Sequence, residues 1–174
     1  MDWYTSIFEL IDMRSFSNLW FWIVLAVVWS SASHWVMGIP YDLVVRARRV
    51  GGQVESDLLD IVRINTNRML YIVEMSGAAL LAAGCFLFAG LATLGFYYEV
   101  EIAQALFLLL FPMTIVMMMN IFHARRLRAQ ELTLQRASKT LSRCRLYTQI
   151  IGMISILVTA LWGMYQNISI GVLG

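Results

Sequence analysis

All thirteen basic and eleven acidic residues of this 174-residue chain lie outside four uncharged stretches, 15–41, 75–98, 102–124 and 146–174. An α-helix rises about 1.5 Å per residue, so roughly 20 residues cross the ~30 Å hydrocarbon layer of a bilayer. Each stretch therefore suffices for one crossing and none for two. Composition agrees, with 60% hydrophobic and 14% charged residues, against about 45–50% and about 25% in soluble domains. The expected fold class is all-α: a polytopic membrane protein forming one transmembrane domain over 1–174, a four-helix transmembrane bundle with spans at about 17–39, 72–98, 102–123 and 147–169.

Orientation follows from the Lys and Arg residues, which are retained on the cytoplasmic face. Twelve of the thirteen fall in two connections, 42–74 and 125–145, whereas the link between the second and third spans is Glu99-Val100-Glu101. The expectation is that both basic connections are cytoplasmic and both termini are outside. Asp2, Glu9 and Asp12 against Arg14 make the start too acidic for a cleaved signal peptide. Trp3, Ile7, Leu10 and Ile11 share one helical face there, predicting a short N-terminal interfacial helix. Trp20, Trp22, Phe96, Tyr97, Tyr98, Trp162 and Tyr165 gather at the outer span ends as an aromatic belt.

The cytoplasmic segments read as two helical hairpins, 40–71 and 124–146. In the first, Gly51-Gly52 breaks two arms, and Glu55, Asp57 and Asp60 are placed to face Arg46, Arg48 and Arg49. In the second, Arg125, Arg126, Arg128, Arg136, Lys139, Arg143 and Arg145 oppose only Glu131. Leu127, Leu134 and Leu141 recur every seven residues, and a reversal near 137–139 with Ser138 as N-cap is expected. Within the membrane, small residues mark a stripe on span two (Ala78, Ala82, Cys85, Ala89, Thr93) and another on span four (Gly152, Ser155, Thr159, Gly163). Small residues let helices approach closely, so these two spans are expected to be the tightly packed ones. Pro112 should kink span three, with Met113, Met117, Met118 and Met119 as deformable filler.

Chemistry-bearing residues are sparse. His34, Glu74 and His123 stand at similar depth near the cytoplasmic boundary, and Ser30, Asn120 and Gln149 would enlarge them into a polar cluster. Ionisable groups in a membrane are candidates for function by default. His34 and His123 could serve as axial ligands of a b-type haem or, with Glu74, as a metal site, although no helix carries a paired ligand spacing. A satisfied interfacial histidine is the plain alternative for each. A small transporter or channel is weighed because Pro112 interrupts a span, yet the mid-membrane depth carries no acid or base and no inverted repeat. No nucleophile has a base beside it, so an enzyme is not expected, and no cofactor is assigned. Cys85 and Cys144 lie on elements that should not meet, which argues against a disulfide or a metal centre. The arginines lack interleaved aromatics, so nucleic acid is not the expected partner.

Four stretches carry a resemblance: 8–34 (FELIDMRSFSNLWFWIVLAVVWSSASH), 62–71 (VRINTNRMLY), 110–116 (LFPMTIV) and 145–167 (RLYTQIIGMISILVTALWGMYQN). Over nearly its whole length the chain resembles an alphaproteobacterial four-span inner-membrane family of the kind labelled "component of SufBCD complex". The resemblance implies a bacterial inner-membrane location and a link to iron–sulfur cluster assembly, and it brings no catalytic residues. With no cysteine array to hold a cluster, such a role would be adaptor-like. The functional expectation is a non-enzymatic accessory or scaffold protein. Its docking residues, Arg46, Arg48, Arg49, Arg125, Arg126, Arg128, Arg136, Lys139, Arg143 and Arg145, would engage anionic membrane lipids or a larger membrane-protein complex, with a homo-oligomer as a further arrangement; basic residues near an anionic surface contribute about 1 kcal/mol each.

Overall fold

The structure is a computed structural model that describes residue 16 and residues 19–172, with side chains through 168. The interfacial helix expected at 2–13 lies outside the described residues. The described chain is mostly helical, with one short two-stranded hairpin and brief turns between helices. Its elements are α1 (Leu19–His34), β1 (Trp35–Val36), β2 (Ile39–Pro40), α2 (Tyr41–Val50), α3 (Gln53–Ala92), a π-helical turn (Thr93–Tyr97), α4 (Glu101–Arg128) and α5 (Leu134–Val172). Three helices are long and apolar enough to cross a membrane: α3 with its π turn, α4 and α5. α1 is apolar but shorter, 16 residues, or about 24 Å.

Helix α1 stops at His34, short of the expected 39. Met37 and Gly38 both have positive φ, 53° and 74°, which is the two-residue turn that matches strand twist. It pairs Trp35 with Pro40 and Val36 with Ile39. Pro40 disfavours helical backbone at Ile39, so the chain turns sharply and starts α2 with Pro40 as its N-cap residue. Asn65 on α3 donates Nδ2 to the Gly38 carbonyl at 2.9 Å and ties the hairpin down. Gly51 and Gly52, again at positive φ, reverse the chain between α2 and α3 as their sequence predicts.

The second reversal falls at 129–133, not at 137–139. Thr133 is the residue that starts α5: its hydroxyl accepts from the Arg136 N–H, and its carbonyl accepts from Ala137 N. This is N-cap geometry, and it satisfies donors that a helix start leaves orphaned. Ser138 lies inside α5, where its hydroxyl bonds back to the Gln135 carbonyl. The competing cap, five residues earlier, prevails because Ala137, Leu141 and Cys144 are then free to enter a core.

That core joins every element at the basic end. Val36, Ile39, Val44, Ala47, Leu58, Val62, Leu70, Ala124, Leu127, Ala137, Leu141 and Cys144 are buried together, with Leu134 packed on its edge. Full burial of each large aliphatic side chain contributes about 1.5–3 kcal/mol, so the two connections form one folded head. Leu127, Leu134 and Leu141 all reach it.

Beyond the head the helices stand in the spatial order α3, α4, α5, α1. Phe88 and Phe96 of α3 and the π turn meet the Phe107 ring edge-on. Leu25 and Trp29 of α1 pack with Leu109 and Val116 of α4. The expected pairing of spans two and four is corrected here. Ala78, Ala82, Cys85, Ala89 and Thr93 are exposed, whereas the stripe on α5 is buried against α1 and α4. A Cβ on Gly152 would lie 2.7 Å from Trp29, and one on Gly163 would lie 3.3 Å from Phe16. The small residues of α5 admit the Trp29 ring of α1 and the Phe16 ring just ahead of it.

Helix α4 runs unbroken through Pro112. Proline has no N–H to give the carbonyl four residues earlier, which is that of Leu108. Ser155 of α5 donates to this carbonyl, at 3.4 Å. A hydroxyl on a neighbouring helix thus replaces the missing backbone donor, the usual way a membrane helix tolerates proline.

Candidate docking head and polar boundary

The basic residues divide by what they touch. Arg48 donates Nη2 to the Ser138 carbonyl and to Ser142 Oγ, each at 2.8 Å. Arg145 places its guanidinium 4.1 Å from the Tyr41 ring centre, and the Tyr41 hydroxyl hydrogen-bonds Ser142. These contacts fasten α2 to α5. Arg128 pairs with Glu74 and joins α4 to α3. Arg126 covers the Phe122 ring at 4.1 Å, and Arg136 donates to the Glu131 carbonyl. Among the described residues, Arg46, Arg49, Arg125, Arg136, Lys139 and Arg143 are exposed with no carboxylate at ion-pair distance.

The expected ion pairs between the arms of the first hairpin do not form among the described residues. Asp60 accepts from Arg63 and Asp57 from Gln53, both on α3 itself. Three- and four-residue spacings on one helix bring these partners together at little entropic cost. The first arm then keeps Arg46 and Arg49 uncompensated. On α5, Arg136, Lys139 and Arg143 recur at spacings of three and four and share one exposed face.

The polar boundary residues have separate surroundings. His34 ends α1, with its ring edge-on to Trp35 and Nε2 4.0 Å from Asp42. His123 donates Nδ1–H to the Met119 carbonyl at 2.8 Å and tilts against Tyr147. Glu74 is engaged by Arg128. Ser30 is exposed, and Asn120 Oδ1 is buried without a hydrogen-bond partner, as is Trp29 Nε1. Among the described residues no three His, Cys, Asp or Glu side chains converge as a metal site would require. Gln149 lines a groove between α1 and α5 with Trp29, Ser33, Thr148, Gly152, Met153 and Ile156.

Cysteine chemistry is confined by burial. Cys85 is exposed on α3, and Cys144 is buried in the head core. Desolvation of the thiolate pushes the Cys144 thiol up to about 12, so it stays neutral and behaves as a small apolar side chain.

One polar centre was not singled out from sequence. Gln104 sits near the start of α4 and is 2% exposed. Its Nε2 donates to the Gly95 carbonyl at 2.7 Å, and its Oε1 accepts from Trp162 Nε1 at 2.9 Å and from Gln166 Nε2 at 2.8 Å. The π turn makes this possible: Tyr98 N bonds Thr93 O and Val100 N bonds Leu94 O, while the Gly95 carbonyl turns to the glutamine. A lone amide early in an apolar run, opposite Trp162 and Gln166 one turn apart, is the signal that could have revealed it. The arrangement joins α3, α4 and α5 and leaves no open site for a substrate. No protein-family model, curated protein or solved structure matches the chain.

Proposed function

We propose that the chain is a non-enzymatic inner-membrane scaffold or accessory protein whose cytoplasmic head docks an acidic partner protein. The observation that carries this reading is the exposed face of Arg136, Lys139 and Arg143 on a well-packed head. Stability explains Arg48, Arg128 and Arg145, each of which holds two helices together. It does not explain three uncompensated cations on one turn-to-turn stripe, which repel one another. A carboxylate-bearing surface would relieve that repulsion and find a pre-ordered array, since α5 is fixed by the core beneath it.

In this reading the membrane part has four crossings. α1 follows α5 from near Gly163, which is flanked by Phe16 just ahead of α1, to Thr148, which shares a groove with Ser33. It therefore parallels about 24 Å of a helix long enough to span. The basic connections lie in the cytoplasm and both termini outside. The resemblance of residues 8–34 and 145–167 points to an iron–sulfur assembly complex as the class of partner. Cys85 and Cys144 would then take no part in holding a cluster, and the role is that of an adaptor.

The test is the triple variant Arg136→Glu, Lys139→Glu, Arg143→Glu in the full-length protein, extracted gently from its native membrane. It should remain monodisperse and lose its co-purifying acidic partner. A complex recovered in equal yield from the variant refutes docking through this face. Single cysteines placed at the exposed positions Ser56 and Lys139 should react with an impermeant maleimide only after the membrane is opened. Labelling from outside would invert the topology.

A further inference from the structure

Where α1 and α5 part, they leave a groove of about 440 Å³ whose chemistry changes along its length. One end is Ser33 and Gln149, both polar. The other end is Gly152, Met153 and Ile156, with Met153 64% exposed and Ile156 38% exposed. Trp29 forms the wall and is itself 6% exposed. It cannot recede, because its ring already fills the space beside Gly152.

The groove straddles the boundary at which α5 changes character. From 146 onward the chain is uncharged, and Arg145 is the last cation before it. Arg145 stands four residues before Gln149 and three before Thr148, so it lies on the same helical face, one turn below the polar end. Its guanidinium is held over the Tyr41 ring, and its Nε is buried without an acceptor. Among the described residues no carboxylate lies at ion-pair distance from it. A fixed cation, then two hydrogen-bonding side chains, then an apolar trough follow one another in the direction of the membrane normal. That is the sequence of phosphate, ester and acyl chain in a phospholipid.

We propose that the α1–α5 groove holds one anionic phospholipid of the cytoplasmic leaflet, with its phosphate on Arg145, its esters at Ser33 and Gln149, and an acyl chain along Met153 and Ile156. The groove itself is lined by Trp29, Ser33, Thr148, Gln149, Gly152, Met153 and Ile156, with Arg145 one turn beyond its polar end. Arg136, Lys139 and Arg143 stand on the opposite side of α5 by helical spacing, so the site is distinct from the docking face. An anionic headgroup fits better than a zwitterionic one, because Arg145, the cation one turn beyond the polar end, has no carboxylate at ion-pair distance among the described residues.

Native mass spectrometry of the full-length protein in neutral maltoside micelles, titrated with dioleoylphosphatidylglycerol, tests the assignment. One lipid should remain bound after the others are stripped, and phosphatidylcholine should not give this adduct. Arg145→Gln should weaken binding about fivefold, in keeping with the contribution of one interfacial arginine. Arg143→Gln should leave it unchanged. Met153→Trp alters only an exposed position and should abolish the adduct by filling the trough, which separates loss of the site from loss of the fold. Equal affinity in Arg145→Gln and the parent, an unchanged adduct in Met153→Trp, or equal retention of phosphatidylcholine would each overturn the proposal. Displacement of the adduct by inorganic phosphate at matched concentration would assign the site to a soluble anion and overturn the lipid.

Discussion

Gln104→Leu removes the amide that joins three helices while keeping the side chain's bulk. Three hydrogen bonds are lost, to Gly95, Trp162 and Gln166. Interhelical hydrogen bonds in membrane proteins average about 0.6 kcal/mol, with a maximum near 1.7, so the three together are worth about 2 kcal/mol. Leucine supplies apolar contact in return, but it strands the indole N–H, which is costly in a dry interior. The loss should appear in SDS titration from mixed micelles, followed by tryptophan fluorescence and far-ultraviolet circular dichroism. Gln166→Leu, which removes the bond to Gln104 Oε1, should also cost stability. Trp162→Phe combined with Gln104→Leu should cost clearly less than the two changes separately, because both break the same bond. Gly95→Ala attacks the same centre from the backbone, since its Cβ would stand 3.0 Å from Gln104 N. A cost below about 0.5 kcal/mol for Gln104→Leu, less than the average for even one such bond, would refute the view that this amide couples α3 to α4 and α5.

Gly152→Ala should destabilise by about 1–3 kcal/mol, the usual cost of overpacking, because its Cβ would meet the rigid Trp29 ring at 2.7 Å; the same unfolding titration checks it. Ser155→Ala should cost about 1 kcal/mol by exposing the Leu108 carbonyl, but should be nearly silent in a Pro112→Ala background, where the backbone N–H returns. A double-mutant cycle that shows no coupling would sink that account. For Cys144, the unfolded thiol ionises near 9.0 and the folded one near 12. The raised folded value stabilises the protein fully below pH 9 and is lost between pH about 9 and about 12. Cys144→Ala should flatten that alkaline limb relative to the parent; identical pH profiles would contradict it.

Three of the four uncharged stretches announced the long apolar helices, because a bilayer imposes length and neutrality on any crossing segment and both are readable one residue at a time, whereas the first stretch is interrupted at His34. Gly51-Gly52 and the leucines at 127, 134 and 141 were legible for similar reasons: each expresses a local conformational or periodic rule. What was not legible depends on partners far apart in the chain. The span-two stripe of Ala78, Ala82 and Ala89 has the same small-residue pattern as the α5 stripe, and nothing in either says which receives Trp29. Thr133 and Ser138 are both good caps, and only the core positions of Ala137 and Cys144 decide between them. Arg48 and Arg128 looked like docking residues until Ser142 and Glu74 were seen to occupy them. Of the candidate site, the exposed stripe at 136, 139 and 143 was present in the sequence, whereas the groove above Arg145 arises from two helices meeting.

Helices α3 and α5 pass from the head into the membrane part without a break, 40 and 39 residues long, each close to 60 Å end to end. Two stiff rods clamped by one core at the basic end and by Gln104 at the other act as a lever with no hinge. A load applied to Lys139 or Arg143 is therefore transmitted along the shaft of α5 to Gln166, and whatever grips the head also tilts the crossings.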